Sequence, residues 1–191
     1  MAPKMNKKIV ILSIVIILIL CVGGGFFWWQ NQKDVRELNK SLPDGVRVVK
    51  SLMGKEYKVV NKIDGYEFRV PKELRGVEKI EYIAEREEKG FRGTSANMIG
   101  LEGENRGVGI DCFKVEKEQS LKEWAQNLFS TVGLEGNFTL EMVGNFETIK
   151  TQENKHLLGM YMYFLKKDAL VYSFTSGSEE FIRYIISNGK W

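Results

Sequence analysis

LLGMYMYFLKKDALVYSFTSGSEEFIRYIISN, Leu157–Asn188, decides the fold. From Leu157 to Leu165, Leu158, Met160, Met162 and Phe164 alternate with Gly159, Tyr161, Tyr163 and Leu165. Both sets are largely apolar, which predicts a central strand covered on both faces. Lys166, Lys167 and Asp168 turn the chain, and Ala169–Thr175 returns beside the first strand. Ser176 followed three residues later by Glu179 is a capping box. Phe181, Ile182, Ile185 and Ile186 then share one helical face, and Gly189 after Asn188 marks the end. A hairpin apolar on both faces, followed by an amphipathic helix, calls for more strands beside it and cover on each side.

The preceding sequence supplies both. Thr139–Val143 and Phe146–Thr151 read as two further strands. Upstream of them, Ser120 and Glu123 form a second capping box. Leu121, Trp124, Ala125, Leu128 and Phe129 recur at helical spacing, and Gly133 and Gly136 mark the exit. Earlier still, Asn97–Leu101 and Val108–Val115 predict a hairpin across Glu102–Gly107, and Val77–Ala84 a strand with Ile80, Tyr82 and Ala84 on one face. Tyr57–Asn61 and Tyr66–Val70 flank Lys62-Ile63-Asp64-Gly65, a hairpin with an Asp-Gly turn, closed by Pro71. Val46–Lys58 reads as an extended segment broken at Gly54. Strands joined by short hairpins, with two helices between and after them, predict an α+β fold with helices packed on an antiparallel sheet.

The other end of the chain has a different character. Ile9–Trp29 carries no charge and, as a helix, would extend roughly 31 Å, about the thickness of a bilayer's hydrocarbon core. Lys4, Lys7 and Lys8 precede it without an acid, while Lys33 and Arg36 beyond it are offset by Asp34 and Glu37. Retention of basic residues on the cytoplasmic side predicts a cytoplasmic n-region over residues 1–8, an anchor over 9–29 and a domain outside the cytoplasmic membrane. Phe26, Phe27, Trp28 and Trp29 would lie at headgroup level. A cleaved signal peptide is the competing reading, with Gly23 and Gly25 as the small residues, and Cys21 raises a lipoprotein alternative. Met5 is an alternative start. Residues 30–45 read as a stalk in which Asp34–Leu42 forms a short helix, with Val35, Leu38 and Leu42 on one face, ended by Pro43-Asp44-Gly45. Residues 46–191 form one domain.

Charge and chemistry narrow the function. Setting aside Lys4, Lys7 and Lys8 leaves 25 basic residues against 25 acidic ones. No basic excess or stripe points to nucleic acid, so no nucleic-acid partner is expected. The two cysteines, Cys21 and Cys112, fall in the apolar run and in the domain, so no internal disulfide is expected. Cys112 shares a strand face with Val108 and Ile110 and reads as buried and inert. A nucleophile–base pair with the single histidine, His156, is the alternative. The glycines of Gly100–Gly109 lack the strand-to-helix setting of a phosphate loop. Glu87, Glu88, Glu102 and Glu104 show no calcium-loop pattern, and neither a metal nor another cofactor is expected. Tyr161, Tyr163 and Tyr172 read as core, with a ligand groove as the alternative.

GYEFRVPKEL, the SLKEWAQNLF helix and YMYFLKKDALVYSFTSGSEEFIRYIISN together resemble the PsbP-like family, named for an extrinsic subunit of the photosynthetic oxygen-evolving complex. The resemblance covers about residues 57–188. It implies an α/β/α sandwich around an antiparallel sheet and a non-enzymatic binding or assembly role, and it transfers no site residue. The expectation is a membrane-anchored extracytoplasmic binding module with a protein partner. The alternatives are an envelope enzyme with dispersed carboxylates and a purely structural envelope component. Binding is assigned to the polar loop Arg86–Ser95, where Phe91 between Gly90 and Gly93 is ringed by Arg86, Glu87, Glu88, Lys89 and Arg92. Arg86, Glu87, Phe91 and Arg92 are its candidate contact residues.

Overall fold

The computed structural model describes residues 7–51, 56–71, 74–86, 91–100, 105–115, 118–131, 137–151 and 159–191. Among the described residues four helices and ten strands follow in order: α1 (Lys7–Asn31), α2 (Lys33–Asn39), β1 (Val46–Lys50), β2 (Tyr57–Asn61), β3 (Tyr66–Arg69), β4 (Leu74–Arg86), β5 (Phe91–Gly100) and β6 (Asn105–Lys114). After them come α3 (Leu121–Thr131), β7 (Phe138–Val143), β8 (Phe146–Thr151), β9 (Tyr161–Lys167), β10 (Leu170–Ser176) and α4 (Glu179–Asn188). The strands make two antiparallel sheets, one ordered β1-β2-β3, the other β4-β5-β6-β10-β9-β8-β7. The α+β class read from the sequence is what the chain adopts.

The two-faced strand sorts the core into layers. Phe164 on β9 and Val171 on β10 pack with Leu121, Ala125 and Phe129 of α3. Tyr163, Leu165, Tyr172 and Phe174 face the other way, into a larger cluster with Phe181, Ile182, Ile185 and Ile186 of α4 and with Val59 and Phe68 of the small sheet. One face of the large sheet is thus covered by α3, the other by α4 and the small sheet. Tyr163 and Phe164 are both 0% exposed, which is what adjacent side chains on opposite faces of a covered sheet require. Cys112 lies in the larger cluster with Val108 and Ile110, as expected from its strand position.

Several local expectations shift. The β9–β10 turn is centred later than Lys166–Asp168: Lys167 pairs with Leu170, leaving Asp168 and Ala169 to turn. Asp168 takes φ 53°, a left-handed conformation that short polar side chains tolerate in tight hairpins. Strand β9 starts at Tyr161, whereas Leu157 and His156 fall outside the described residues. The cap of α4 is Ser178, whose hydroxyl accepts from the Phe181 amide, rather than Ser176. The Ser176 hydroxyl instead donates to the Gly107 carbonyl at 2.7 Å and accepts from the Ser178 amide, fastening the helix entry to β6. Gly189 ends α4 with an ordinary φ of −87°, and its lack of a side chain is needed for another reason. A Cβ there would stand 2.5 Å from the Trp191 ring, which folds back against Tyr66, Tyr172 and Phe174.

The segment read as a stalk is docked on the domain. Val35 is buried in the larger cluster, with Leu38 and Leu42 packed against it. The Asn39 amide donates to the Val48 carbonyl at 2.9 Å and accepts the Val48 N–H at 2.7 Å, so one side chain occupies the outer edge of β1 as a neighbouring strand would. α1 is 25 residues long, with side chains described from Val15 onward apart from Leu20. Among the described residues no single helix is long and apolar enough to cross a membrane. Val15–Asn31 and Lys33–Asn39 meet that length and composition only as a pair, bent by 47°.

Candidate functional site

The polar loop singled out in the sequence is mostly not a loop. Arg86 closes β4 and pairs with Phe91, the first residue of β5, and Phe91 to Ser95 run on as strand between β4 and β6. Phe91 lies opposite Phe113 and Arg92 opposite Cys112 in the register with β6. What remains between the strands is residues 87–90, including Glu87, which fall outside the described residues. The polar run misled because a strand paired on both sides draws its stability from ladder hydrogen bonds and neighbours, not from its own composition.

Tyr163 and Tyr172 are core, and Tyr161 packs against it. The Tyr172 hydroxyl donates to the Asp64 carbonyl oxygen at 2.8 Å, tying the turn of the small sheet to the large one. Burial, first of all, raises the pKa of both buried phenols, so they stay neutral hydroxyls.

Two carboxylates from distant positions meet across the β7 to β9 end of the sheet. The Arg183 guanidinium bonds Glu141 Oε2 at 2.6 Å and Glu179 Oε1 at 3.0 Å. Glu179 also accepts from Lys150 Nζ at 2.7 Å and from the Tyr163 hydroxyl at 2.7 Å. The Lys150 ammonium is the largest influence holding the Glu179 carboxyl down at about 2, against the opposing effect of burial. That is the reverse of what a general acid needs. The knot staples the first turn of α4 to β8 and β9.

Asp111 behaves oppositely. It sits on β6 between Gly93 of β5 and Ser173 of β10, and burial pushes its carboxyl up to about 6. Among the described residues no hydrogen bond to this side chain offsets that burial. An acid whose folded pKa is raised weakens folding above that pKa, and the penalty is relieved as pH falls from about 6 towards the unfolded value. Asp111→Asn should therefore stabilise the domain by about 1 kcal/mol at pH 7.5, discounted for partial exposure, and the gain should fade by pH 4. Thermal melts of both proteins at the two pH values check this.

An open concavity lies between α2 and β4. This groove of about 680 Å³ is lined by Asp34, Glu37, Leu38 and Ser41 on one side and by every residue from Val77 to Ile83 on the other. Positions 34, 37, 38 and 41 are one face of a helical turn pattern. On β4 both alternating sets contribute, as they do where a groove looks onto a strand's edge. Val77 and Ile80 are buried at its floor, while Ile83 is 37% exposed at its rim. The α2 wall is fixed from beneath: the Tyr57 hydroxyl donates to Asp34 Oδ2 at 2.5 Å and Lys50 Nζ to the same oxygen at 3.0 Å. Burial raises the Asp34 pKa, but these two hydrogen bonds outweigh it and hold the carboxyl below its ordinary value.

No protein-family model and no curated protein matches the chain. Among solved structures, one from Bacteroides thetaiotaomicron aligns at 11% identity and a TM-score of 0.39, over 72% of this chain and 48% of its own. A GTP binding regulator from Thermotoga maritima aligns at 15% identity and a TM-score of 0.36, over 62% of this chain and 80% of its own. The chain thus spans about half the length of the first of these. Among the described residues no cluster of His, Cys, Asp and Glu could hold a metal. The groove was missed in the sequence because its two walls are about forty residues apart. The one available signal was the Asp34, Glu37, Ser41 stripe flanking the apolar face of α2.

Proposed function

We propose that this chain is a single-pass membrane protein whose domain acts as a non-enzymatic binding or assembly module outside the cytoplasmic membrane, with the groove between α2 and β4 as its binding surface. The observation carrying the anchor is α1 itself. Val15, Ile16, Ile17, Leu18, Ile19 and Val22 are all large, apolar and exposed, from 45% at Val15 to 71% at Val22. Soluble helices bury one stripe; a helix apolar all round is matched to hydrocarbon. Phe26, Phe27, Trp28 and Trp29 continue that exposure to the domain end, where the Arg36 guanidinium stands 4.5 Å from the Trp29 ring centre. The basic residues before α1 favour an inside N-terminus. Docking of α2 would then hold the groove close to the membrane surface.

The layered arrangement of strands and helices is in keeping with the PsbP-like resemblance, from which a binding or assembly role follows by analogy alone. A photo-crosslinking amino acid at Ser41, an exposed position lining the groove, tests the binding reading in producing cells. A discrete protein adduct is expected at Ser41 and not at Lys62, on the exposed β2–β3 turn. Identical adduct patterns at both positions would contradict it.

A further inference from the structure

We infer that the groove takes an extended peptide bearing lysine or arginine, which adds as a strand to the outer edge of β4. The inference rests on the binding-module reading and specifies its partner. Strand β4 ends the large sheet, pairing among the described residues only with β5. An unpaired edge presents a row of backbone donors and acceptors, and proteins normally blunt such edges. This one treats its edges unequally. The outer edge of β1 is sealed by the Asn39 amide and, at Lys50, by the Gln32 amide at 3.3 Å. The outer edge of β3 is bridged where Glu67 and Lys190 exchange backbone hydrogen bonds of 3.0 and 2.8 Å. Along β4, Val77–Ile83 lines the groove instead. Pairing with β5 is regular from Lys79 to Ile83, between bulges on either side, so a straight ladder of about 16 Å is available.

Charge selects the occupant. Among the described residues, Asp34, Glu37, Glu78 and Glu81 line the groove against Lys79 alone. Asp34 is engaged by Lys50 and Tyr57, but the Glu37–Lys40 and Lys79–Glu81 pairs are more than half exposed and therefore weak. Among the described residues no ion pair involves Glu78. Lysine or arginine at alternate positions of an added strand would meet these carboxylates, while the intervening side chains face the apolar floor at Val77 and Ile80. Main-chain pairing supplies affinity and the acids supply register and on-rate.

The test selects from a displayed library of random ten-residue peptides against the full chain held in lipid nanodiscs. Selected peptides are expected to carry lysine or arginine at alternate positions between β-forming residues. Glu78→Lys with Glu81→Lys, both exposed, should weaken them about tenfold. Methylating alternate backbone nitrogens of a selected peptide should abolish binding in one of the two phases and not the other. Hydrogen exchange should slow at amides of residues 79–83. Basic peptides that bind equally well in both methylated phases would overturn strand addition and leave the binding reading standing. Selected peptides without basic enrichment would overturn the partner's chemistry. Self-association of the chain lost in the double variant would assign the edge to a second copy and overturn the inference. Selection of no peptide would overturn it together with the groove as binding surface.

Discussion

Ile16→Lys combined with Ile19→Lys should move the full chain out of the alkali-resistant membrane fraction. The two side chains are 49% and 65% exposed on α1, one turn apart, near the middle of the uncharged run. A lysine at the centre of a spanning helix costs about 2.5–3.5 kcal/mol on insertion scales, so two together cost about 5 kcal/mol. That is enough to convert a nearly complete insertion equilibrium into a nearly complete failure. Neither residue packs on the domain clusters, so the melting of the domain should be unchanged. The measurement is alkaline carbonate extraction of parent and variant, with a domain melt on each. A variant retained in the membrane as firmly as its parent would contradict the anchor.

Phe164→Ala should cost the domain about 4 kcal/mol. Phe164 is 0% exposed at the point where α3 sits on the sheet. Its ring meets Trp124 edge-on at 5.5 Å and Phe129 at 6.1 Å. Truncation leaves a cavity beneath a helix of 11 residues whose buried face, Leu121, Ala125 and Phe129, packs at this point. The loss is a large share of the 5–15 kcal/mol typical of a domain. Met142→Ala, at a side chain 60% exposed on β7, serves as the control and should shift stability by less than about 0.5 kcal/mol. Urea unfolding of both variants checks the contrast, and a Phe164→Ala loss below about 1 kcal/mol would contradict the layer assignment.

How much of this was legible in sequence depended on the range of the interaction that decides each feature. The Ser120 cap was readable, since its hydroxyl accepts from the Glu123 amide three residues on. So was the Lys62–Gly65 hairpin, where Asn61 Oδ1 accepts from the Ile63 and Asp64 amides and Gly65 takes φ 79°. The α4 cap was misplaced by two residues because Ser176 with Glu179 has the capping-box spacing, whereas the residue three after Ser178 is Phe181. Glu179 is claimed by Lys150, Arg183 and Tyr163, and Ser176 by Gly107, contacts that no local pattern reveals. Phe91–Ser95 looked like loop because its pairing partners lie on β4 and β6. The docking of α2 was half visible: the Val35, Leu38, Leu42 face was read correctly but assigned to a stalk. That the Asn39 side chain would take the place of a strand on β1 is a tertiary fact.

We propose that α1 holds the domain on the outer face of a membrane. Lys62→Cys places a thiol on an exposed turn of the small sheet, while Cys112 is buried and Cys21 lies within α1. A membrane-impermeant maleimide added to right-side-out membrane vesicles carrying the full chain measures the topology directly. Rapid labelling of Lys62→Cys without detergent is expected, and none of the parent. Labelling of Lys62→Cys only after the vesicles are opened would contradict it.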